Sequence, residues 1–591
     1  MSLIFAKQRL PRPGWGLWLV AIGCWVASLA RAQELRLDIR PTFQDEGLRL
    51  NEKLEQARAM RVTRLDFLLS GLALKKKDGT WVESRDWFAY VSAGAGSMIA
   101  KGTGTPTGEY TGLRFRIGVD EVTNKSDPHR HAPDHALNPQ VNGLHWGWMG
   151  GYIFLALEGR FPRATGGDDG FSYHVANPPQ LMTVELPVEF QGGRPLTISL
   201  DLDLSRVLAG VDFAKDGTST HSREGDPLAA KLKTNIERSF RVGSVAYDVY
   251  QTPEFAEKPA ALPAGTHPLT PAITQRFPQV KLPADNPLTE EGVALGRQLF
   301  QDTRLSVNGT QSCASCHAQG HAFADERRFS LGAQQQVGRR NAMPLFNLAW
   351  HPGFFWDGRA ATLREQVLMP IQDKNEMNET LPNVIAKLNA APEYETAFAR
   401  AFGTPGITTD RLAKALEQFL LTFISQESRF DQAARKAAEL TESEKRGLQL
   451  FVTEFDPQRG LRGADCFHCH GGTLFTSQPF ANNGLDLADD DLGRMAVTQN
   501  EADRGKFKTP SLRNIARTAP YMHDGRFATL EQVVEHYSNG VRRSPTLDPN
   551  LAKHPETGIQ LNAQEKTDLV AFLKTLTDET FTGADSASPA R

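Results

Sequence analysis

Two stretches, Cys313-Ala-Ser-Cys316-His317 and Cys466-Phe-His-Cys469-His470, share the pattern C-x-x-C-H. In that pattern two cysteines form thioethers to a porphyrin, and the adjacent histidine becomes the proximal iron ligand of a c-type haem. A C-x-x-C used for zinc or redox work is the competing reading, and it leaves a histidine at the same offset twice unexplained. The chain holds five cysteines: four lie in these motifs and the fifth, Cys24, lies near the N-terminus. No thiol remains for a structural disulfide or a four-cysteine zinc site.

The sequence repeats itself around the two motifs. LTEEGVALGRQLF (288–300) precedes the first and LTESEKRGLQLF (440–451) the second; downstream, WDGRAATLREQV from Trp356 matches HDGRFATLEQVV from His523. Each leading run opens with threonine and acidic residues, a helix N-terminus signal. Matches on both sides of the cysteines define an internal duplication. The spacing predicts helix, haem motif, loop and helix twice: two mainly α-helical cytochrome c-like domains, 287–438 and 439–580, with 581–591 as a disordered tail.

Ahead of the duplication the pattern is all-β. TRLDFLLSGLALKKKDGTWVES holds two extended runs joined through Lys77-Asp78-Gly79, and LRFRIGVD, GYIFLALEG and LMTVELPVEFQGGRPLTISLDLDL continue the short strands with glycine punctuation. A β-sandwich over 33–251 is expected. Within it PHRHAPDHALNP carries His129, His131 and His135, and NGLHWGWMGGYIFLALEG carries His145, Trp146 and Trp148. Imidazoles suit copper, nickel, zinc or iron. From the residues alone, a solvated histidine loop and tryptophans packed in a core compete with metal binding. Residues 252–286 are proline-rich and aperiodic, and predict a semi-rigid linker.

With 591 residues, 40% hydrophobic and 23% charged, and a formal net charge of −3, the composition is that of a multidomain globular protein. No charge excess points to nucleic acid. Residues 1–32 predict a cleaved secretory signal: Lys7, Arg9 and Arg12, then an apolar run, then Ala30-Arg31-Ala32. No later apolar run is long enough to span a bilayer. Export fits the haem motifs, since c-type attachment happens outside the cytoplasm, and a bacterial periplasmic location is expected.

Residues 286–578 resemble the di-haem cytochrome c peroxidase superfamily, including its MauG and MbnH members, through RRNAMPLFN, FFWDGRAATLREQ, QDKNEM, FKTPSLRNIARTAPYMHDG and LVAFLKTLT. The resemblance implies several roles. His317 holds the peroxidatic haem, and the loop RRFSLGAQQQVGRRN lacks the distal histidine found in typical members, which implies an open site there; His321 and His351 are the nearest alternatives. Glu376 is the distal acid–base group, Gln366 a second distal residue, and Trp356 the tryptophan between the haems. Tyr537, or the adjacent His536, falls where peroxidases place a methionine opposite the His470 haem; Tyr537 is the MauG/MbnH feature. Asn341, with the main-chain oxygens of Thr518 and Pro520, matches a calcium site.

The segment from Asp120 to Gly159, above all W-G-W-x-x-G-Y-I-F-L-x-L-E-G, resembles the MbnP family of periplasmic copper-binding proteins. That resemblance implies a tryptophan oxidised to kynurenine, with Trp87, Trp146 and Trp148 as candidates, and copper held by histidines, for which His145 and His174 are selected. Together the two resemblances imply a peroxidase that uses hydrogen peroxide to oxidise a tryptophan of its own or a neighbouring MbnP-like domain. The alternatives are a cytochrome c peroxidase drawing electrons from a small redox protein, and a non-enzymatic copper-binding or electron-transfer protein.

Overall fold

The structure is a computed structural model that describes residues 34–583 except 55–58, 85, 97, 103, 148–149, 164–165, 248–259, 478–479, 486–490 and 556. The expected signal segment and Trp148 lie outside the described residues. Among the described residues no helix is long and apolar enough to cross a membrane.

The N-terminal third is two packed β-sheets. Leu35–Phe43 runs parallel to Leu196–Asp203, which pairs antiparallel with Phe240–Tyr247. The larger sheet centres on Arg61–Lys76, flanked by Gly108–Ile117 and Ile153–Pro162, with Met182–Gly192 and Asp168–Ala176 outside them. Alternation sets the faces: Met182–Gly192 alternates buried and exposed residues along its whole length, the signature of a strand with one wet face. Ile153–Pro162 instead buries eight successive residues. Its second face is covered by another part of the chain, the C-terminal half.

That half is mostly helical and shows the duplication in three dimensions. Glu290–Gln301 crosses Thr409–Leu421, and Glu442–Phe451 crosses Ala563–Lys574. Each crossing is made at a glycine of the repeat. A Cβ on Gly296 would stand 2.0 Å from Ala415 O, and one on Gly447 2.0 Å from Asp568 O. Only hydrogen permits such close backbone approach. Thr441 and Glu444 close a capping box, as do Thr362 with Glu365 and Thr529 with Gln532 in the downstream repeat.

Three features differ from the sequence expectations or extend them. The disordered tail expected from residue 581 does not include Phe581, which lies in the helix Glu579–Thr582, buried against Phe323, Phe346 and Phe423 of the first haem domain. An aromatic near a polar terminus has no sequence neighbours to reveal its socket. The described part of the proline-rich segment is a packed strap. Phe277 is buried against Trp350, whose Nε1 donates to Pro278 O at 2.9 Å. The β-sandwich shares one apolar core with the second haem domain, while the first haem domain has its own.

The docking is specific. Arg160 Nη1 donates to the carbonyls of Ser544, Pro545 and Leu547 at 3.0, 2.6 and 3.1 Å, and Arg543 Nη1 returns the contact at Asp168 O, 2.9 Å. Gly170 lies flat on Pro549, where a Cβ would stand 2.1 Å from its carbonyl oxygen.

The loop after the second haem motif is fixed by Arg513. Its guanidinium is fully buried, pairs with Asp431 at 2.7 and 2.9 Å, and donates to Thr473 O at 2.9 and 2.7 Å. Removing one partner of a buried pair strands the other charge. Arg513→Ala should therefore lower unfolding stability by about 3–5 kcal/mol, read by chemical denaturation followed by circular dichroism.

Candidate functional site

The first haem motif opens a cavity of about 200 Å³ lined by Cys313, Cys316, His317, Trp356, Gln366 and Glu376. His317 Nδ1 lies 2.7 Å from Phe323 O. A proton held there by the carbonyl leaves the Nε2 lone pair for iron. Phe323 adopts a left-handed conformation at φ 57°, and Phe475, which plays the same part for His470, does so at φ 52°. Repeating this uncommon geometry beside both histidines aims a carbonyl at each ring. Two thiols and an oriented imidazole on one cavity fit a covalently held haem.

Across that cavity Glu376 is held by its own backbone: its N–H donates to Asp373 O, and its carbonyl accepts from Ala333 N at 2.7 Å. Ala333 belongs to the loop that lacks a histidine. Burial, reinforced by Asp373, raises the Glu376 carboxyl to about 7, against the opposing pull of Arg359. A carboxyl that titrates there can take and return a proton at neutral pH. Gln366 reaches the cavity from the helix Leu363–Gln372. His351 lines it as well, with Nδ1 2.9 Å from Lys508 Nζ; burial lowers Lys508 to about 7. His321 does not line it, and sits 3.4 Å from Glu326.

At the second motif His470 Nδ1 faces Phe475 O at 3.3 Å. Tyr537 lies in a π-turn, His536–Gly540, that continues the helix Leu530–Glu535. Such a turn rotates one side chain out of helical register. The Tyr537 hydroxyl accepts from Asn483 Nδ2 at 3.3 Å and sits within electrostatic reach of Cys469 and Cys466; burial raises it to about 12. Its neighbour His536 meets the same residue, with Nε2 3.1 Å from Asn483 O.

Trp356 stands at the seam of the two haem domains. It is buried, its Nε1 donates to Asn341 O at 2.9 Å, and its carbonyl accepts from Lys508 N at 2.7 Å. Asn341 donates its backbone N–H to His523 O at 2.8 Å, and its Nδ2 to Arg327 O and Arg328 O. Thr518 is buried nearby in sequence to the Ala519–Pro520 bond. Arg340 spans the seam to Asp491 at 2.7 Å and is held from its own domain by Asp357 at 2.6 Å.

The β-domain presents its histidines and one tryptophan to the second motif. Gly147 lies on Gly472, where a Cβ would stand 3.0 Å from the partner Cα, and His129 Nε2 meets Thr473 Oγ1 at 3.0 Å. Trp146 is buried with its ring 5.7 Å from that of His221. His221 in turn lies 5.6 Å from Phe467 and 5.0 Å from His468, both inside the haem motif. Trp87 instead belongs to the sandwich core, with Nε1 bonded to Lys101 O at 2.8 Å. A cavity of about 720 Å³ between the domains is lined by Arg64, His145, Glu158, His468 and Gly472 among others.

His145 and His174, paired in the sequence reading, have different neighbours. His145 packs on Tyr152 and accepts from Gly147 N, whereas His174 meets His221 and His468. His131 and His135 stack on each other at 4.5 Å. Sequence reasoning missed His221 and His468. The second occupies a variable position of the haem motif, which drew attention only to its cysteines and final histidine.

Residues 290–439 match the protein-family model described as di-haem cytochrome c peroxidase, and residues 32–222 match the model named MbnP. The chain is similar to the methylamine utilization protein MauG of Methylophilus methylotrophus, 34% identical over 303 residues, 51% of this chain and 87% of that protein. It is similar to the cytochrome c551 peroxidase of Nitrosomonas europaea, 35% identical over 302 residues, 50% of this chain and 83% of that one. Among solved structures, a MauG-like protein associated with microbial copper homeostasis is 37% identical with a TM-score of 0.48, covering 54% of this chain and 98% of that one.

Proposed function

The chain belongs to the di-haem cytochrome c peroxidase family, and on that premise we propose that this periplasmic enzyme spends hydrogen peroxide on a tryptophan of its own MbnP-like domain. Cys313, Cys316 and His317 would hold one c-type haem and Cys466, Cys469 and His470 a second, and their iron would supply the chemistry on peroxide. Glu376 takes the peroxide proton and returns it to the departing oxygen, with Gln366 beside it. Trp356 carries the hole across the seam. Tyr537 would offer the second iron a hard oxygen donor, which favours the higher oxidation state.

One observation supports the substrate above others: Trp146, His221 and the Phe467–His468 pair form a continuous aromatic run from the β-domain into the second haem motif. The indole gains two oxygen atoms across its C2–C3 bond and then loses formate by hydrolysis, giving kynurenine. Two molecules of hydrogen peroxide, leaving as two waters, balance the step. Copper with His145 and His174, and calcium with Asn341, Thr518 and Pro520, complete the reading.

Peptide mass spectrometry before and after peroxide tests it. A peptide containing Trp146 should lose one carbon and gain one oxygen. Intact tryptophans throughout residues 34–250, with peroxide consumed only when a small redox protein donates electrons, would leave the simple peroxidase instead. Tyr537→Met should raise the second haem's reduction potential, because thioether sulfur favours the reduced iron. Most of the kynurenine yield should be lost with it, as spectroelectrochemistry and the same peptide assay would register.

A further inference from the structure

Among the described residues three cationic side chains line the cavity of the first haem motif: Arg340, Arg359 and Lys508. The two arginines are balanced. Arg340 pairs with Asp357 and Asp491, and Arg359 pairs with Asp357. Lys508 is different. It is 4% exposed, and no carboxylate among the described residues acts on it, so that burial alone shifts its proton affinity.

Lys508 belongs to the second haem domain, on the strand Phe507–Lys508, yet its placement is fixed from the first. Its backbone N–H donates to Trp356 O at 2.7 Å, and its Nζ donates to Gly353 O at 2.6 Å and to His351 Nδ1 at 2.9 Å. An ammonium carries three donors and no lone pair, so His351 Nδ1 is the acceptor and the neutral ring keeps its proton on Nε2. Burial and the Lys508 charge hold that ring neutral, far below the usual histidine range. Neither of its nitrogens then has a lone pair to offer iron, and the ring serves to aim the ammonium. The remaining Lys508 donor has the Phe354 ring, 5.8 Å away, and no acceptor among the described residues.

A buried cation held only by neutral acceptors is costly, and an anion in the cavity offsets that cost. Glu376, the acidic side chain on the same cavity, is not that anion. Its shift comes from burial, Asp373 and Arg359, with no contribution from Lys508. The group that Cys313, Cys316 and His317 fit brings carboxylates of its own, because a c-type haem is attached through its vinyl side chains and keeps its propionates.

We infer that Lys508 is the counter-cation for a propionate of the first haem, aimed there by His351 and Gly353. The assignment rests on the first haem of the reading above and is independent of the tryptophan target. Charge and hydrogen bonding around a haem are levers on its reduction potential. A cation that reaches over from the second haem domain therefore makes the first haem's potential depend on closure of the seam.

Spectroelectrochemistry of the full-length di-haem protein tests this, with iron content as the control for attachment. Lys508→Met leaves the propionate without its cation, so the first haem should become harder to reduce. Its potential should move to more negative values by more than that of the second haem. Lys508→Arg keeps the charge and should restore most of the potential. In resonance Raman the propionate bending band of the first haem should move in Lys508→Met and return in Lys508→Arg. His351→Leu keeps the charge and removes its aim, and should move the potential the same way by less. An unchanged potential in Lys508→Met, equal shifts at both haems, or an unmoved propionate band would overturn the assignment. Failure of the underlying reading looks different: the unaltered protein would lack the first haem in its iron count. Should Lys508→Met lose haem, Lys508→Gln takes its place, keeping a donor without the charge. A first-haem potential equal to that of Lys508→Arg would then sink the proposal.

Discussion

Glutamine in place of Glu376 should slow peroxide consumption by about 10²–10⁴-fold, the usual worth of a positioned acid–base group. The substitution keeps the size of the side chain and replaces a titrating carboxyl with an amide that does not titrate, so haem content and fold should be unchanged. The pH profile supplies the second arm. With its carboxyl raised to about 7 by burial, the unaltered enzyme should lose activity as pH falls through 7, because protonated Glu376 cannot accept the peroxide proton. The glutamine variant should be flat across that window. Stability has the opposite slope. Between the usual 4.5 and about 7 the native carboxyl keeps a proton that the unfolded chain releases. Rising pH therefore destabilises the fold over that interval, and Glu376→Gln should remove this contribution. A flat profile in the unaltered enzyme would transfer the acid–base role to another group, with Lys508 next to be tried.

Phenylalanine at position 146 should abolish kynurenine in the β-domain while leaving peroxide consumption with an added electron donor intact. The ring fills the same pocket against His221, so docking survives, but a benzene ring has no C2–C3 indole bond to open. Undiminished kynurenine in Trp146→Phe would name a different tryptophan, and Trp148→Phe would then be the next variant. Trp87 is a poor alternative on this geometry. Its indole is enclosed by the sandwich and tied to the Lys101 carbonyl.

The sequence made the C-terminal half legible because covalent haem attachment and helix crossing both leave local marks. The cysteines and histidine of each motif are contiguous, and Gly296 and Gly447 recur at the same distance before Phe300 and Phe451. Period-two alternation likewise exposed the sandwich in Met182–Gly192. Contacts between distant segments left no such mark. His221 meets Glu454 and His468 across the domain seam, and each of the three alone reads as an ordinary polar residue. The strap that buries Phe277, and the socket that takes Phe581, were hidden for the same reason: the residues that cover them lie far away in sequence.

Gly170 resting on Pro549, and Arg160 gathering three carbonyls of the second haem domain, have a kinetic consequence. With the target proposed above, oxidant and indole would share one polypeptide and one buried seam, so their encounter would have no concentration term beyond a fixed effective molarity. Oxidation of the resident indole should follow first-order decay with a half-time that is the same at any dilution, and added free β-domain should compete poorly. On the function proposed above each chain would carry its substrate only once, so the catalyst would be stoichiometric, completing its own maturation with two molecules of peroxide and then outliving the reaction.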